Sequence, residues 1–447
     1  MNVHDVIIVG GGLSGLSAAV ELSAIGRKVL LLEQRRHCGG RSYSFIDTVS
    51  GDCVDNGQHL MMGCYHATRR YLRLFGTEHL AFLQPGLRIE FLHPSQHHSN
   101  FICHTLPPPL HLLSGLLGFK AIPFKNRLEM LKVAGKILYT SPSKEKELDI
   151  YTVEEWLTKL GQSEISRKYL WDVVTIGTLN DHLQNVSALM LFRVLRAAFL
   201  GKTENSSFLI PRVGLSDLFV NPAVRFIETR GGEVRTGVGV ESFTVDGDKI
   251  RSVQTSDGNE LYAKSFISAV PWYAYNGIKL KEKKEDENKI FHSSPMISIQ
   301  LWLDREVTNF DFAALIETRI HWIFNKTHLL EEKKIGGIAR QHLSLIISGA
   351  HKFIDLKKEQ LVEIAMEDLR SVLPRAQNAN VIHSLVIKEK RATFSPYPGL
   401  ETSRPNAQTK YENLFLAGDW TATGYPATIE GAVMSGKKAA ELVKRLN

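Results

Sequence analysis

At 447 residues, with 43% hydrophobic and 23% charged side chains, the chain has the composition of an ordinary soluble globular protein and exceeds what one compact core sustains, so two domains are expected. Its net charge of +7 and pI near 9.0 would suit nucleic acid, yet Lys and Arg are scattered and no nucleic-acid motif or dense basic arm occurs. No nucleic-acid partner is expected, and attraction to an anionic membrane face is the weaker use of the charge.

The first residues carry no basic cluster and the apolar run that follows breaks at Gly10, so neither a signal peptide nor a spanning helix is expected there, and the expected location is cytoplasmic. The stretch "DVIIVGGGLSGLSAAVELSAIGRKVLLLEQ" predicts a buried strand over Val6–Val9, a glycine turn, a helix from Leu13 to Ile25 closed by Gly26, and a second strand over Lys28–Glu33. That is the βαβ opening of a doubly wound parallel sheet. Gly10-x-Gly12-x-x-Gly15 falls between strand and helix, the context that gives this motif meaning. Gly10 permits the turn, Gly12 lets backbone amides approach a pyrophosphate, Gly15 lets helix and strand pack closely, and the helix start at Leu13 and Ser14 contributes positive dipole. Glu33 ends the second strand at about the 20-residue offset from which a carboxylate accepts hydrogen bonds from ribose hydroxyls, and its charge disfavours a 2′-phosphate.

A second glycine pair, Gly39 and Gly40, precedes Arg41 in "EQRRHCGGRSYSF". Arg41 suits either the pyrophosphate or the far end of a dinucleotide; a surface arginine after a turn is the plain alternative. "DNGQHLMMGCYHAT", residues 55–68, offers Asp55, His59 and His66, but the histidines lie too far apart for an i, i+4 pair and no cysteine pair or carboxylate cluster completes a ligand set, so no metal is expected. The cysteines Cys38, Cys53, Cys64 and Cys103 show no C-x-x-C spacing, which argues against disulfides and structural zinc and for a reducing compartment.

From Leu106 to Leu138 the pattern changes to proline breaks and helical apolar repeats, continued through "YTVEEWLTKLG" and "SALMLFRVLRAAFLG". The segment 106–138 is apolar enough to lie on a membrane with its lysines toward anionic lipid, and a buried domain helix competes on equal terms. Strands return over Gly231–Ala269, with "DGDK" and "SDGN" as hairpin turns, and the charged run 279–289 reads as a solvated loop. The last block, "NLFLAGDWTATGYPATIEGAVMSGKKAAELVKRL", is again strand, glycine loop and helix.

The paired glycine blocks and "FLAGDWTATGYPATIEGAVMSG" resemble the FAD-dependent flavin amine oxidase and phytoene desaturase superfamily. With "DNGQHLMMGCYHAT" and "FLIPRVGLSDLFVNPAVRFIETRGGEVRTGVGV" the chain resembles its squalene-associated branch, the hydroxysqualene dehydroxylases; the likeness is dense at the flavin blocks and thin over 78–186 and 279–390. The resemblance implies an α/β fold: a Rossmann-like FAD-binding domain of the GR2 type assembled from 1–80, 205–275 and 400–447, with an inserted α+β substrate domain, partly helical, from 81–204 and 276–399. It implies FAD as cofactor, held by Gly10, Gly12, Leu13, Ser14, Gly15, Glu33, Gln34, Gly40, Arg41, Gly57, Gln58, His59, Val238, Gly418, Asp419, Thr428 and Ile429. Asp419 would meet the ribityl chain, and the helix starting near Thr428 would point its amides at the flavin's pyrimidine edge, which favours the reduced form.

The implied reaction is reductive removal of the hydroxyl of hydroxysqualene, with a long-chain isoprenoid as substrate and peripheral contact with the inner face of the cytoplasmic membrane. The electron donor is not identified, since no second dinucleotide fingerprint occurs. Trp156, Trp171, Phe192, Phe199, Trp302 and Trp322 are candidates to line an apolar tunnel, although core packing is the commoner role for each. For the proton that must reach the leaving hydroxyl, His59 ranks first, ahead of Tyr65, Asp181, His182 and Glu430. Two alternatives stay open: a desaturase or amine oxidase, in which Trp420 and Tyr425 would frame the flavin, and a prenyl-chain carrier of the GDP-dissociation-inhibitor type.

Overall fold

The computed structural model describes residues 4–94, 96–104, 106–275, 277–279, 290–330 and 339–446. Of the charged run expected as a loop, only Lys279 lies within them. Strand His4–Val9 pairs in parallel with Val29–Glu33 on one side and Glu260–Ser268 on the other. Layers cover both faces, so Ile7, Ile8, Leu30 and Leu31 are wholly shielded from solvent, as the near-continuous apolar runs of a parallel sheet require. Glu233–Thr236 extends the sheet beyond Val29–Glu33, and Leu414–Leu416 pairs with the end of Glu260–Ser268. Residues from the middle and the end of the chain thus extend the sheet that its first strand opens. The expected hairpins are present: Val240–Asp246, Lys249–Thr255 and Glu260–Ser268 run antiparallel in succession, with Gly247 and Gly258 at the turns.

The first helix, Leu13–Ser23, stops short of Ile25 and is buried along its whole length. It is packed against the C-terminal helix Ile429–Arg445, where Ser17 Oγ donates to Val433 O at 2.9 Å. This contact explains the small residues of both motifs: a Cβ at Gly436 would lie 2.0 Å from Ser14 O.

A second, seven-stranded sheet runs in the order Val381–Phe394, Ser293–Leu303, Gln341–Ser348, Trp322–Asn325, Phe312–Leu315, Arg88–His93, Gln96–Ile102. Its pairings are antiparallel except that between Phe312–Leu315 and Arg88–His93. Period-two alternation along Ser293–Leu303 separates two faces. Ile297, Ile299 and Leu301 pack with Leu361, Ala365 and Leu369 of helix Lys358–Val372. Met296, Ser298, Gln300 and Trp302 face the other way, and Trp302 meets residues of the N-terminal block. Its indole N–H donates to Asp52 Oδ2 at 2.6 Å and its ring stacks on His342 with centroids 4.2 Å apart. Trp302 is therefore no part of a tunnel; Asp52 supplies the acceptor that a buried indole needs.

The helices Leu110–Gly118, Phe124–Tyr139, Val153–Lys159, Asp172–Leu179 and Ala188–Phe199 share one core with Phe91, Phe312 and Phe324 of the second sheet. Trp156, Trp171 and Phe192 sit inside that core.

Candidate functional site

One cavity of about 910 Å³ joins the carboxyl end of the parallel sheet to the core between helices and second sheet. All the residues expected around the cofactor line it except Gly15. Gly15 acts behind the wall: a Cβ there would lie 1.9 Å from Gly10 O, so the glycine sets how closely helix and strand approach. Gly10 has φ +107, and a Cβ there would lie 2.8 Å from Ala269 O, so no other residue fits the turn.

The dinucleotide end fits an anion. A Cβ on Gly12 would meet only Gly40 Cα, at 4.0 Å, and otherwise project into the cavity. Helix Leu13–Ser23 has no side-chain cap, which leaves its first amides and its dipole for a pyrophosphate. Glu33 is fixed at the rim: Oε2 accepts from Gly11 N at 2.6 Å and Oε1 from Arg35 N at 2.8 Å, and each oxygen retains accepting capacity for a ribose. Gln34 and Val238 complete this rim.

At the middle of the cavity Arg41 and Asp419 meet each other. Arg41 Nη2 donates to both carboxylate oxygens at 2.8 Å while Nη1 donates to Ala392 O at 2.7 Å. Gly418 beside it has φ +145 and donates its N–H to Ser435 Oγ at 2.8 Å. Thr428 caps the C-terminal helix through Gly431 N at 3.1 Å, so the positive end of that helix opens at the cavity wall with Thr428 and Ile429.

The 55–59 segment is anchored by a residue that the sequence did not single out. Lys326 Nζ, with its side chain 3% exposed, donates to Asp55 Oδ2 at 2.8 Å and Gln58 Oε1 at 2.9 Å. Asp55 Oδ1 in turn accepts from Leu215 N at 3.0 Å and Ser44 Oγ at 2.8 Å. Gln58 is left with a buried Nε2 donor that has no protein partner, on a residue lining the cavity; a bound acceptor atom would satisfy it. An isolated lysine in "WIFNKTH" carries no sequence signal, because its partners lie some 270 residues away.

The apolar arm is lined by Leu60, Leu87, Ile89, Phe91, Ile176, Phe199, Phe208, Trp322 and Phe324. Among the proposed tunnel aromatics only Phe199 and Trp322 reach it. Gly177 lets the Trp322 indole approach helix Asp172–Leu179, since a Cβ would lie 3.2 Å from its Cζ2.

Among the acid/base candidates, His59 and Tyr65 line the cavity, and Asp181, His182 and Glu430 do not. Glu430 instead caps helix His66–Leu74, accepting from Ala67 N and Thr68 N at 2.9 Å. Asp181 accepts from His182 N at 2.8 Å and Asn185 Nδ2 at 2.9 Å, a local turn role. His59 Nδ1 is 2.8 Å from Gly57 O; a carbonyl only accepts, so Nδ1 carries the hydrogen. Burial lowers the His59 pKa from its ordinary value, outweighing the bond to Gly57 that raises it, so the resting ring is neutral with an accepting Nε2. Burial pushes the Tyr65 phenol far up, and it stays protonated. Trp420 packs against Tyr275 and Phe291 and donates to Val270 O at 3.0 Å, while Tyr425 lies outside the cavity lining, so the two do not form a facing aromatic pair.

Sheet order, glycine turn, rim carboxylate and C-terminal helix together define a dinucleotide-dependent oxidoreductase of Rossmann type whose cofactor cleft opens into an apolar arm. The chain belongs to the flavin containing amine oxidoreductase family, whose model matches residues 13–444, and is an FAD-dependent enzyme. It is similar to the hydroxysqualene dehydroxylase of Zymomonas mobilis, 27% identical over 97% of this chain and 98% of the relative. It is also similar to the 15-cis-phytoene desaturase of Solanum lycopersicum, 24% identical over 98% of this chain and 77% of the relative. A putrescine oxidase triple mutant has the same fold, with a TM-score of 0.74 at 17% identity over 99% of both chains.

Proposed function

We propose that the enzyme converts hydroxysqualene, a thirty-carbon allylic alcohol, to squalene, with loss of the hydroxyl as water. The observation that carries this reading is the continuity of a polar dinucleotide cleft with a long apolar arm, with His59 and Leu60 among the residues lining it. The hydroxysqualene dehydroxylases similar over nearly the full chain support the substrate. Residues 1–80, 205–275 and 400–447 would hold FAD, and 81–204 and 276–399 the substrate; the hydrophobic cores, drawn largely from these same sets, support that division.

When bound, reduced FAD would supply a hydride, that is two electrons and one proton, and the proton that leaves with the oxygen must come from elsewhere. The chain's own residues hold the substrate and handle the proton. His59 Nε2 accepts the substrate hydroxyl and, once doubly protonated, donates the proton with which oxygen leaves as water. The lowered pKa makes this imidazolium scarce but strongly acidic. Phe208, Trp322 and Phe324 exclude water from a carbon that would otherwise recapture it, and their ring faces suit developing positive charge. The ion-paired Asp419 and the helix start at Thr428 would hold the cofactor beside this wall.

The substrate is water-insoluble, and the surface beside the cavity's core supports peripheral membrane contact. Helix Phe124–Tyr139 buries Met130, Val133 and Ile137 and exposes a second apolar stripe, Phe124 59%, Leu128 44%, Leu131 41% and Leu138 44%. Lys125, Lys132 and Lys136 are exposed alongside. No helix among the described residues is long and apolar enough to cross a membrane.

Anaerobic mixing of the photoreduced enzyme with hydroxysqualene tests the assignment. Reappearance of the oxidised flavin spectrum with stoichiometric squalene is expected. A spectrum that answers only to phytoene or an amine, added to oxidised enzyme, would overturn it.

A further inference from the structure

A largely shielded ionic chain links the wall of the apolar arm to the loop lining the cofactor cleft. Arg404, with its side chain 1% exposed, gathers the loop that follows Gly418. Its guanidinium donates to Asp419 O at 2.7 Å, Thr421 O at 2.5 Å, Tyr425 O at 2.8 Å and Thr423 Oγ1 at 2.9 Å. These bonds fix the path from Asp419 to Thr428, both of which line the cofactor cleft. Arg404 Nη1 also donates to Glu401 Oε2 at 2.8 Å. The other oxygen of Glu401 accepts from Arg193 Nη1 at 2.7 Å. Arg193 sits on helix Ala188–Phe199, and its neighbours Val194, Leu195, Ala198 and Phe199 line the apolar arm. Its Nε is held by Glu145 Oε1 at 3.0 Å, so the guanidinium has one orientation from which to reach Glu401.

We propose that Glu401, clamped between Arg193 and Arg404, is a positioning residue that couples occupancy of the apolar arm to the geometry of the Asp419–Thr428 loop, so that an isoprenoid chain and FAD strengthen each other's binding. Two features argue for this beyond local stability. Each carboxylate oxygen serves a different element, so movement of the helix is transmitted chiefly through one rigid planar group, beside a longer direct bond from Arg193 Nη1 to Gly424 O at 3.4 Å. The fork geometry of the two arginines also resists rotation better than point charges would. A chain seated against Leu195 and Ala198 holds the helix, hence Arg193, hence Glu401 and the loop. Linkage then requires that FAD improve chain binding by the same factor.

The inference rests on the isoprenoid reading of the arm, and the test separates the two. FAD dissociation constants are measured for full-length apoprotein with and without squalene, and retention of labelled squalene by holoenzyme is measured in parallel. In the wild type squalene is expected to tighten FAD at least about fivefold. In Arg193→Met, which cuts the helix from both Glu401 and Gly424 O but leaves Glu401 with Arg404, FAD alone should bind within about twofold of wild type while the enhancement falls below about twofold. Arg193→Lys, which keeps charge without the fork, should restore part of it and serves if the methionine variant does not fold. Retained squalene with no effect on FAD in the wild type, or full enhancement in Arg193→Met, overturns the coupling. If squalene is not retained, the substrate reading fails and the same factors are read with phytoene; if neither chain is retained, the coupling falls too.

Discussion

Arg41 and Asp419, separated by 378 residues in sequence, form a salt bridge with Nη2 2.8 Å from each carboxylate oxygen. The two flavin blocks therefore meet through their own charged residues. Arg41→Met and Asp419→Asn should each cost the apoprotein about 1.5–3 kcal/mol, since hydrogen bonds between charged partners are lost and one partner is left in a largely shielded place. The double variant should cost clearly less than the sum. Denaturant unfolding of the four proteins checks this, and strict additivity would show that the pair is not a unit.

Lys326→Met tests the platform under the 55–59 segment. Asp55 and Lys326 have side chains 4% and 3% exposed, so removing the cation strands a buried carboxylate. Such truncations cost about 3–5 kcal/mol. A loss below about 1 kcal/mol in equilibrium unfolding would mean that Asp55 is held by Leu215 N and Ser44 Oγ alone. The FAD dissociation constant should rise as well, because Gln58 loses the bond that orients it.

These two pairs mark where the sequence was legible. Local patterns exposed the strands, the glycine turn, the hairpins and the rim carboxylate, because a βαβ unit is specified by neighbours within some 30 residues. The Arg41–Asp419 contact and Lys326 under Gln58 depend on sheet order, which brings residues hundreds of positions apart into reach. Trp302 takes the core role that was the commoner of its two, and its pattern left both open for a related reason. An aromatic on a strand reads the same whether its face meets a substrate arm or, as here, Asp52. Glu430 looked like an acid at a helix start, yet the helix it serves is His66–Leu74 rather than its own.

Gly177→Leu should obstruct the apolar arm selectively. Even a Cβ at this position would lie 3.2 Å from Trp322 Cζ2, so a larger side chain must displace the indole into the cavity or occupy it. The squalene dissociation constant is expected to rise about tenfold or more, on the scale of one to three kcal/mol for a misfit methylene. FAD affinity should stay within about twofold, because Gly177 lies outside the residues assigned to the cofactor. An equal loss of both would argue for general unfolding of helix Asp172–Leu179.

The role of His59 has a pH signature. Its pKa is lowered by burial, so the doubly protonated ring is the major form only below the ordinary histidine value and becomes scarcer as pH rises. If that form donates the proton, kcat/KM for hydroxysqualene should fall about tenfold per pH unit through neutrality and level off only on the acid side. His59→Asn should abolish this limb and leave a slower, flat profile, with FAD still bound. A wild-type profile flat from pH 6 to 8 would remove His59 from proton transfer and leave it the hydroxyl-binding role.

Membrane contact predicts a lipid dependence that a buried helix would not show. Leu128 and Leu131 are 44% and 41% exposed on helix Phe124–Tyr139, whose opposite side is already anchored in the core by Met130, Val133 and Ile137. Replacing both with Glu should therefore spare the fold and remove the apolar stripe. Wild-type protein is expected to sediment with vesicles containing anionic lipid, less so as salt screens Lys125, Lys132 and Lys136. The Leu128→Glu/Leu131→Glu variant should stay in the supernatant with unchanged thermal stability. It should also turn over detergent-dispersed hydroxysqualene normally while losing activity toward substrate delivered in vesicles. Equal sedimentation of wild type and variant would place the contact elsewhere, and loss of activity in detergent would assign the stripe to the fold rather than to the bilayer.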